Sequence, residues 1–380
     1  MCCLMFINRI LQPEIEAKLD GNKAILIMGA RQTGKTTLIK AICKGREDVL
    51  WLNGDEPDVR SIMENMTSTR LSAIIGRKNI IVIDEAQRIQ NIGLIIKLIT
   101  DQIPNVHVIA SGSSSFELAN QVNEPLTGRK WEYKLFPLSF EELVHTNGLL
   151  EEKRLLPHRL VYGSYPEVVT SAGIEKELLF QLMDSYLYRD VMTLEQIKKP
   201  DKLVLLLQAL AFQAGSQVSY SEVGQKCGLD NKTIEKYITL MEQAYVLFRL
   251  GSFSRNLRNE LTTTRKIYFV DNGIRNALIA NFSQIENRAD VGALWENYLM
   301  SERVKFLRNH GIRANCWFWR TAQQQEIDYL EESDGKLEAY EFKWNPQAKS
   351  KLPKTFAGAY ADAGFTVIHR DNIEEFLIKA

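Results

Sequence analysis

The sequence lacks any imbalance of charge: Lys and Arg together number 47, and Asp and Glu together number 47, in a chain of 380 residues. A formal net charge of zero argues against a strongly basic protein that coats nucleic acid, although it is compatible with a local basic face. Hydrophobic residues at 45% and charged residues at 25% are typical of a globular chain. A chain of this length exceeds one ordinary hydrophobic core, so we expect two or three domains.

Cysteine is scarce, and its spacing is unlike that of a zinc site or a disulfide framework. The five cysteines are Cys2, Cys3, Cys43, Cys227 and Cys316. Long apolar runs are missing too, since residues 1–7 are too short for a signal peptide and residues 203–212 fall short of a membrane span. We therefore expect a cytoplasmic protein that is not associated with a membrane.

One stretch carries an unmistakable pattern: the apolar run 24–28, a glycine-bounded turn and an apolar helix from Lys35 onward. This order predicts a phosphate-binding P-loop between a strand and a helix. Lys35 is expected to contact the β- and γ-phosphates of a nucleotide, and the Thr36 hydroxyl to ligate Mg²⁺. An ordinary glycine-rich turn is the alternative. The candidate nucleotide-binding residues are Gly29, Ala30, Arg31, Gln32, Thr33, Gly34, Lys35, Thr36 and Thr37.

A second apolar run, residues 80–83, ends in the acidic pair Asp84 and Glu85. A central parallel strand delivers such side chains to the phosphate site. We expect Asp84 to hold the Mg²⁺ shell and Glu85 to orient the attacking water. Without the P-loop upstream, a strand that ends at a solvated turn would explain the pair equally well.

The rest of the N-terminal region offers weaker candidates. Ser111 and Ser113 follow the predicted strand 106–110 and are candidates for sensing the γ-phosphate, or they form a simple turn. Arg129 is a candidate catalytic arginine toward ATP, in its own subunit or a neighbouring one. An exposed structural arginine is the alternative for Arg129.

The segments GARQTGKT, IVIDEAQ, ASGSSS and LTGRKWEYKLFPLSFEEL together resemble the AAA+ family of bacterial and archaeal ATPases over the first 145 residues. The resemblance implies a RecA-like α/β fold with a P-loop parallel sheet, ATP and Mg²⁺ as cofactors, and action as a homo-oligomer. The sequence departs from that family in lacking an obvious helical lid with a second sensing arginine.

The middle of the chain is predicted to begin with helices. Residues 218–243 have the pattern of a helix-turn-helix motif, and β-prone runs follow at 246–250 and 267–270. An asparagine cap at Asn231 is expected to begin the second helix. This order predicts a winged-helix module, which binds DNA or serves as a packing or protein-docking unit. The candidate DNA-contacting residues are Asn231, Lys232, Lys236, Arg255, Arg258 and Arg265.

Near the C-terminus, alternating residues flank Asp334 and Gly335, a strong hairpin signal. If these two are the central turn residues, the numbers of any two residues that face each other across the hairpin add up to 669. Asp328 would then face Glu341, and two facing carboxylates repel unless a cation lies between them.

The helix, the acid and the E-x-K spacing resemble the PD-(D/E)xK nuclease superfamily over residues 290–375. The resemblance implies a restriction-endonuclease-like α/β fold and Mg²⁺-dependent phosphodiester cleavage by Glu296, Asp328, Glu341 and Lys343. The alternative is a solvated hairpin in which Glu326 pairs with Lys343 and Asp328 has no task.

The sequence therefore predicts four domains: an ATPase domain at 1–145, a helical connector at 146–200, a winged helix at 201–285 and a nuclease-like domain at 286–380. The expected function is Mg²⁺-dependent ATP hydrolysis coupled to DNA binding and cleavage. The alternative is a nucleotide-gated regulator whose C-terminal half binds proteins and cleaves nothing.

Overall fold

The structure is a computed structural model that describes residues 6–112, 125–185, 197–254, 264–321 and 323–379. The chain forms two compact units. The N-terminal unit contains Asn8–Pro137 and Gln243–Tyr245, and the C-terminal unit contains the rest of the described chain. None of the described helices is both long and apolar enough to cross a membrane.

The N-terminal unit is built on a five-stranded parallel sheet in the order β2-β3-β4-β1-β5. Its strands are β1 Ala24–Met28, β2 Val49–Asn53, β3 Ile80–Asp84, β4 His107–Gly112 and β5 Lys130–Lys134. Its helices are α1 Leu11–Lys18, α2 Lys35–Ile42, α3 Pro57–Ile62, α4 Ser68–Ile75 and α5 Ile92–Gln102. The predicted α/β class with a parallel central sheet is confirmed for this unit.

Strand order explains why distant segments meet in this unit. Every residue of β1 is buried, as are the first four of β3, because both strands are covered on their two faces. β4 lies between β1 and β3. The carboxyl ends of these three strands therefore lie side by side, and candidate functional residues lie in the last residues of β3 and β4 and directly after β1 and β3.

The C-terminal unit contains a seven-stranded mixed sheet in the order β12-β11-β10-β9-β7-β8-β6. Its strands are β6 Gln217–Val218, β7 Leu247–Ser252, β8 Arg265–Phe269, β9 Asn315–Arg320, β10 Glu326–Ser333, β11 Lys336–Phe342 and β12 Gly364–Ile368. Its first helices are α6 Phe140–Asn147, α7 Leu149–Tyr162, α8 Pro166–Thr170, α9 Glu175–Leu182, α10 Pro200–Phe212, α11 Tyr220–Cys227 and α12 Asn231–Gln243. The remaining helices are α13 Asn272–Leu278, α14 Val291–Asn309, α15 Lys354–Ala359 and α16 Glu374–Leu377.

The strands assigned by sequence to a winged helix and to a nuclease-like domain belong to this one sheet, because β7 pairs in parallel with β9. The core beside the sheet includes the buried side chains of Trp295, Leu299 and Phe318. The four-domain division remains a prediction, and the described chain shows no separate compact unit beginning at residue 201 or 286.

The predicted hairpin register is confirmed, since Tyr329 pairs with Tyr340 and Ser333 with Lys336, both sums being 669. Asp334 and Gly335 have φ values of 50° and 79°, as a two-residue turn with positive φ at both positions requires. The predicted helix cap at Asn231 is wrong. Asp230 performs that role, because its carboxylate accepts a hydrogen bond from the Thr233 main-chain N–H at 3.0 Å.

Candidate active site

The predicted P-loop joins the end of β1 to the start of α2. Gly29 is required at the beginning of the loop, because a Cβ there would lie 2.1 Å from the Leu135 carbonyl oxygen. Gly34 has φ of 90° and immediately precedes α2, a conformation that favours glycine. The loop therefore combines close packing at its first glycine with a left-handed turn at its second. Main-chain N–H groups at a helix N-terminus are well suited to bind phosphate.

Lys35 is buried, and its side chain folds over the loop. The ammonium donates hydrogen bonds to the carbonyl oxygens of Gly29 at 2.9 Å and Ala30 at 2.8 Å. Burial lowers the pKa of Lys35 to about 8, against the opposing effect of the Glu85 and Asp84 carboxylates. An anion bound in the loop would favour the charged ammonium.

Three oxygen-bearing side chains meet where α2, β3 and β4 converge. The Thr36 hydroxyl donates a hydrogen bond to Asp84 Oδ2 at 2.7 Å, and the Ser111 hydroxyl donates one to Asp84 Oδ1. Hydroxyl and carboxylate oxygens are ligands that Mg²⁺ prefers, and Mg²⁺ is usually held by few protein groups together with substrate phosphates. Thr36 and Asp84 therefore fit the ion, and Ser111 contacts the same carboxylate. Ser113 lies outside the described residues.

Glu85 directly follows β3 and has φ of 47°, an uncommon backbone conformation for a residue other than glycine. Its main-chain N–H donates to Asp84 Oδ1 at 3.1 Å, which links the two acids. The Gln87 amide donates to Glu85 Oε2 at 2.7 Å and so orients the carboxylate. The sequence analysis did not identify Gln87. The one feature that could have indicated it is its position two residues after the acidic pair.

Arg9 was also missed. Its buried guanidinium donates to the main-chain carbonyl of Thr33 in the P-loop at 2.9 Å and to that of Phe136 at 2.6 Å. These partners lie 24 and 127 residues away along the chain, so no local pattern could indicate them.

The predicted role of Arg129 at its own subunit's nucleotide is wrong. Arg129 immediately precedes β5, whose first residue pairs with Ala24 at the amino end of β1. The P-loop follows the opposite end of β1. Arg129 instead forms an ion pair with Asp101 at 2.8 Å. A role toward a neighbouring subunit remains a prediction.

In the C-terminal unit, the four predicted nuclease residues lie close enough for their charges to interact. The carboxylates of Glu296 on α14 and Glu341 on β11 both act on Asp328, and Lys343 interacts with all three acids. Burial, followed by the charges of Glu296 and Glu341, raises the pKa of Asp328 to about 8. Its carboxylate accepts a hydrogen bond from the Phe342 N–H at 2.8 Å.

A buried lysine that sequence reasoning missed joins this cluster. The Lys266 ammonium lies 2.8 Å from Glu296 Oε1 and 2.6 Å from Glu326 Oε1. Two residues further along β8, the Tyr268 hydroxyl donates to the same Glu296 oxygen at 2.7 Å. The only available signal for Lys266 was a charged residue directly before the apolar run 267–270. We call these side chains, Lys266, Tyr268, Glu296, Glu326, Asp328, Glu341 and Lys343, the polar cluster.

The pairing of Glu326 with Lys343, which was the alternative to a nuclease-like site, does not form. Glu326 contacts Lys266 and also Arg320 at 3.2 Å, whereas Lys343 pairs with Glu341 at 2.7 Å. Across the described ranges, no group of three or more His, Cys, Asp or Glu side chains is arranged to hold a metal ion. Lys266 supplies the positive charge that Glu296 and Glu326 would otherwise take from a metal ion.

The candidate DNA-contacting side chains are only partly described. Asn231, Lys232 and Lys236 are exposed on α12. Arg265 lies 3.3 Å from Glu235 Oε1 and is 34% exposed. Arg255 and Arg258 lie outside the described residues.

Comparison with known families divides the chain into three segments. Residues 21–144 match a family described as an AAA domain. Residues 153–289 match a Domain of unknown function (DUF8612), and residues 291–376 match a Domain of unknown function (DUF4143).

Similar proteins extend over most of the chain. An uncharacterized protein of Methanocaldococcus jannaschii is 23% identical over 346 residues, covering 85% of this chain and 75% of that protein. An uncharacterized protein of Haemophilus influenzae is 27% identical over 320 residues, covering 76% and 78%. A solved structure, a Walker-type ATPase of Pyrococcus abyssi, has a TM-score of 0.49 and 14% identity over 70% of this chain and 94% of that one.

The segment that matches the AAA family includes the P-loop, the acidic pair Asp84 and Glu85, and the parallel sheet that brings them together. The similarity to AAA domains therefore covers every described residue of the candidate nucleotide site that sequence analysis predicted.

Proposed function

We propose that the N-terminal unit binds ATP with Mg²⁺ and hydrolyses it. The observation that carries this proposal is the 2.7 Å hydrogen bond between Thr36 and Asp84, which joins the P-loop helix to the acidic strand end. Residues 48 positions apart in the sequence thus form one oxygen-rich corner beside the phosphate-binding loop.

Each side chain has a distinct task in this reaction. Lys35 and the loop N–H groups bind the phosphates, and Thr36 and Asp84 would hold Mg²⁺, which neutralises phosphate charge when bound. Glu85 orients and polarises the water for in-line attack on the γ-phosphorus. Gln87, through its hydrogen bond to Glu85, fixes the direction of that carboxylate.

Two variants test the assignment of roles. Lys35→Ala should abolish nucleotide binding, because the loop loses its cation. Glu85→Gln should retain ATP binding and lose turnover, because an amide cannot polarise water as a carboxylate does. Calorimetric titration with ATP and a phosphate-release assay measure the two properties separately. Normal hydrolysis by Glu85→Gln would show that another residue orients the water.

For the C-terminal unit we propose DNA binding and cleavage coupled to the ATPase cycle, with a regulatory or protein-binding role as the rival. The gathering of Glu296, Asp328, Glu341 and Lys343 favours cleavage. The ion pairs of Lys266 favour the rival, because they neutralise carboxylates that a nuclease would use. A winged-helix role for residues 201–285, with DNA contacts by α12, is part of the first proposal.

Plasmid nicking separates these two functions. Cleavage that requires a divalent cation and disappears in both Asp328→Ala and Glu341→Ala would establish the nuclease. If neither ATP nor ADP elicits cleavage of supercoiled, linear or single-stranded DNA, the regulatory role is favoured. DNA affinity that falls steeply with salt would separately support DNA binding. Lys35→Ala is the control that separates cleavage from the nucleotide cycle.

A further inference from the structure

The P-loop accepts a hydrogen bond at a main-chain carbonyl from an arginine that lies outside the P-loop motif. Arg9 precedes α1 and is only 7% exposed. One guanidinium nitrogen donates to the Thr33 carbonyl, and another donates to the Phe136 carbonyl. A guanidinium presents its donors in a fixed planar fork, so two simultaneous bonds fix the position of both acceptors.

The hydrogen bond to Thr33 determines which way the next N–H group points. In a planar trans peptide the carbonyl and the following N–H point in opposite directions. Because the buried Arg9 guanidinium holds the Thr33 carbonyl, the Gly34 N–H points within that peptide plane in the opposite direction, away from Arg9. Gly34 directly precedes α2, where main-chain N–H groups lack helical acceptors and are free to bind an anion.

The beginning of the loop rests on the same segment that Arg9 contacts. Gly29 lies against Leu135, whose N–H donates to the Met28 carbonyl at 2.7 Å. Residues 135 and 136 therefore support the loop at both ends, directly at Gly29 and through Arg9 at Thr33. Without the guanidinium, only the first of these supports would remain.

We propose that Arg9 is a positioning residue of the nucleotide site: it fixes the Thr33–Gly34 peptide so that the Gly34 N–H is directed at a nucleotide phosphate. Arg9 itself does not touch the nucleotide. This inference rests on the proposed binding of nucleotide by the P-loop, and it assigns a phosphate-binding task to a residue outside the P-loop motif.

The test measures ADP and inorganic pyrophosphate affinities of the full chain by calorimetry, for the wild type, Arg9→Lys and Arg9→Met. Arg9→Lys keeps the positive charge but replaces the planar fork with a single ammonium nitrogen. It should weaken ADP binding about tenfold, or ~1.4 kcal/mol. Arg9→Met should weaken it further. Because the effect acts on phosphate, pyrophosphate affinity should fall by the same factor as ADP affinity. A general disturbance of the fold would also damage contacts to the base and would weaken ADP more than pyrophosphate.

Arg60→Lys is the matched control. Arg60 also donates to two main-chain carbonyls of the same unit, those of Gly54 at 2.8 Å and Asp55 at 2.7 Å, and it does not contact the P-loop. This variant should lose stability but keep its ADP affinity. If Arg9→Met does not fold, Arg9→Lys decides the question.

The outcomes are distinguishable. A wild-type chain that binds neither ADP nor pyrophosphate refutes the proposed nucleotide site and the role of Arg9 with it. A wild-type chain that binds both, together with a folded Arg9→Lys variant of unchanged affinity, overturns the role of Arg9 alone. Equal losses of ADP affinity in Arg9→Lys and Arg60→Lys would likewise overturn the positioning role of Arg9.

Discussion

Replacing Lys266 with methionine should strongly destabilise the C-terminal unit. The lysine side chain is 2% exposed and contacts the carboxylates of Glu296 and Glu326, which are 17% and 28% exposed. Removing one partner of a buried ion pair typically costs about 3–5 kcal/mol. Because Glu296 keeps Tyr268 and Glu326 keeps Arg320, we expect the lower end of that range, about 3 kcal/mol.

The expected pH dependence follows from the sign of the shift. Burial alone would lower the pKa of Lys266, but the charges of Glu296, Asp328 and Glu326 outweigh it and raise the pKa above the usual 10.5. A lysine whose pKa is raised on folding contributes its full stabilisation below the unfolded-state pKa and loses it as the pH rises through the folded-state value. The difference between wild type and Lys266→Met should therefore be constant from weakly acidic to neutral pH. It should widen as Asp328 ionises near pH 8, because Lys266 stabilises that carboxylate, and shrink again only in strong alkali.

Urea unfolding followed by tryptophan fluorescence measures this difference. The C-terminal unit contains Trp295, Trp317, Trp319 and Trp344, so the signal reports mainly on that unit. A loss of 3 kcal/mol corresponds to a fall in melting temperature of about 6–12 °C for a unit of this size.

Lys343→Met is the control, because Lys343 is 35% exposed and forms its ion pair with Glu341 near solvent. Pairs of that kind contribute about 0.2–1 kcal/mol. If Lys266→Met costs no more than Lys343→Met, Lys266 is not the counter-ion that the buried carboxylates depend on, and the reasoning fails.

Three further predictions concern positions fixed by close contacts or buried charge. Gly29→Ala should weaken ADP binding at least about tenfold in a calorimetric titration, since its Cβ would lie 2.1 Å from a carbonyl oxygen. Asp328→Asn should stabilise the protein by at least ~1 kcal/mol at pH 9 and have little effect near pH 4. The reason is that the folded protein holds Asp328 protonated up to a pKa of about 8, so ionisation of this carboxyl costs folding free energy as the pH rises toward and past that value. Urea unfolding midpoints of wild type and variant at the two pH values measure this difference. Gly163→Ala should lower the free energy of unfolding by over about 2 kcal/mol, because its Cβ would lie 2.0 Å from Asp271 Oδ1. Gly173→Ala is the control: Gly173 has a similar positive φ but open space around it, so the loss should be only about 1 kcal/mol in the same thermal unfolding experiment.

Local sequence information was sufficient wherever chemistry and conformation depend on neighbouring residues. The P-loop needs two glycines, a lysine and a threonine at fixed spacing, and the strand before it is a continuous apolar run. The hairpin register followed from Asp334 and Gly335, because a two-residue turn leaves one possible pairing. In these places one short segment determines its own geometry.

Sequence reasoning failed where the partner of a side chain comes from a distant element. Arg9, Lys266 and Arg129 are each a single charged residue, and their positions depend on strand order and not on local pattern. The helix cap was misplaced by one residue because Asp230 and Asn231 are both good caps and only the hydrogen bond to Thr233 distinguishes them.

The parallel pairing of β7 with β9 has a practical consequence for dissecting this protein. A truncation near residue 290 would follow the boundary between two matched families, yet it would split one sheet and leave two unpaired strand edges in water. Fragments cut there are expected to aggregate or to pair with other chains, and their inactivity would not reflect the native activity of either half. The two segments are better regarded as one folding unit.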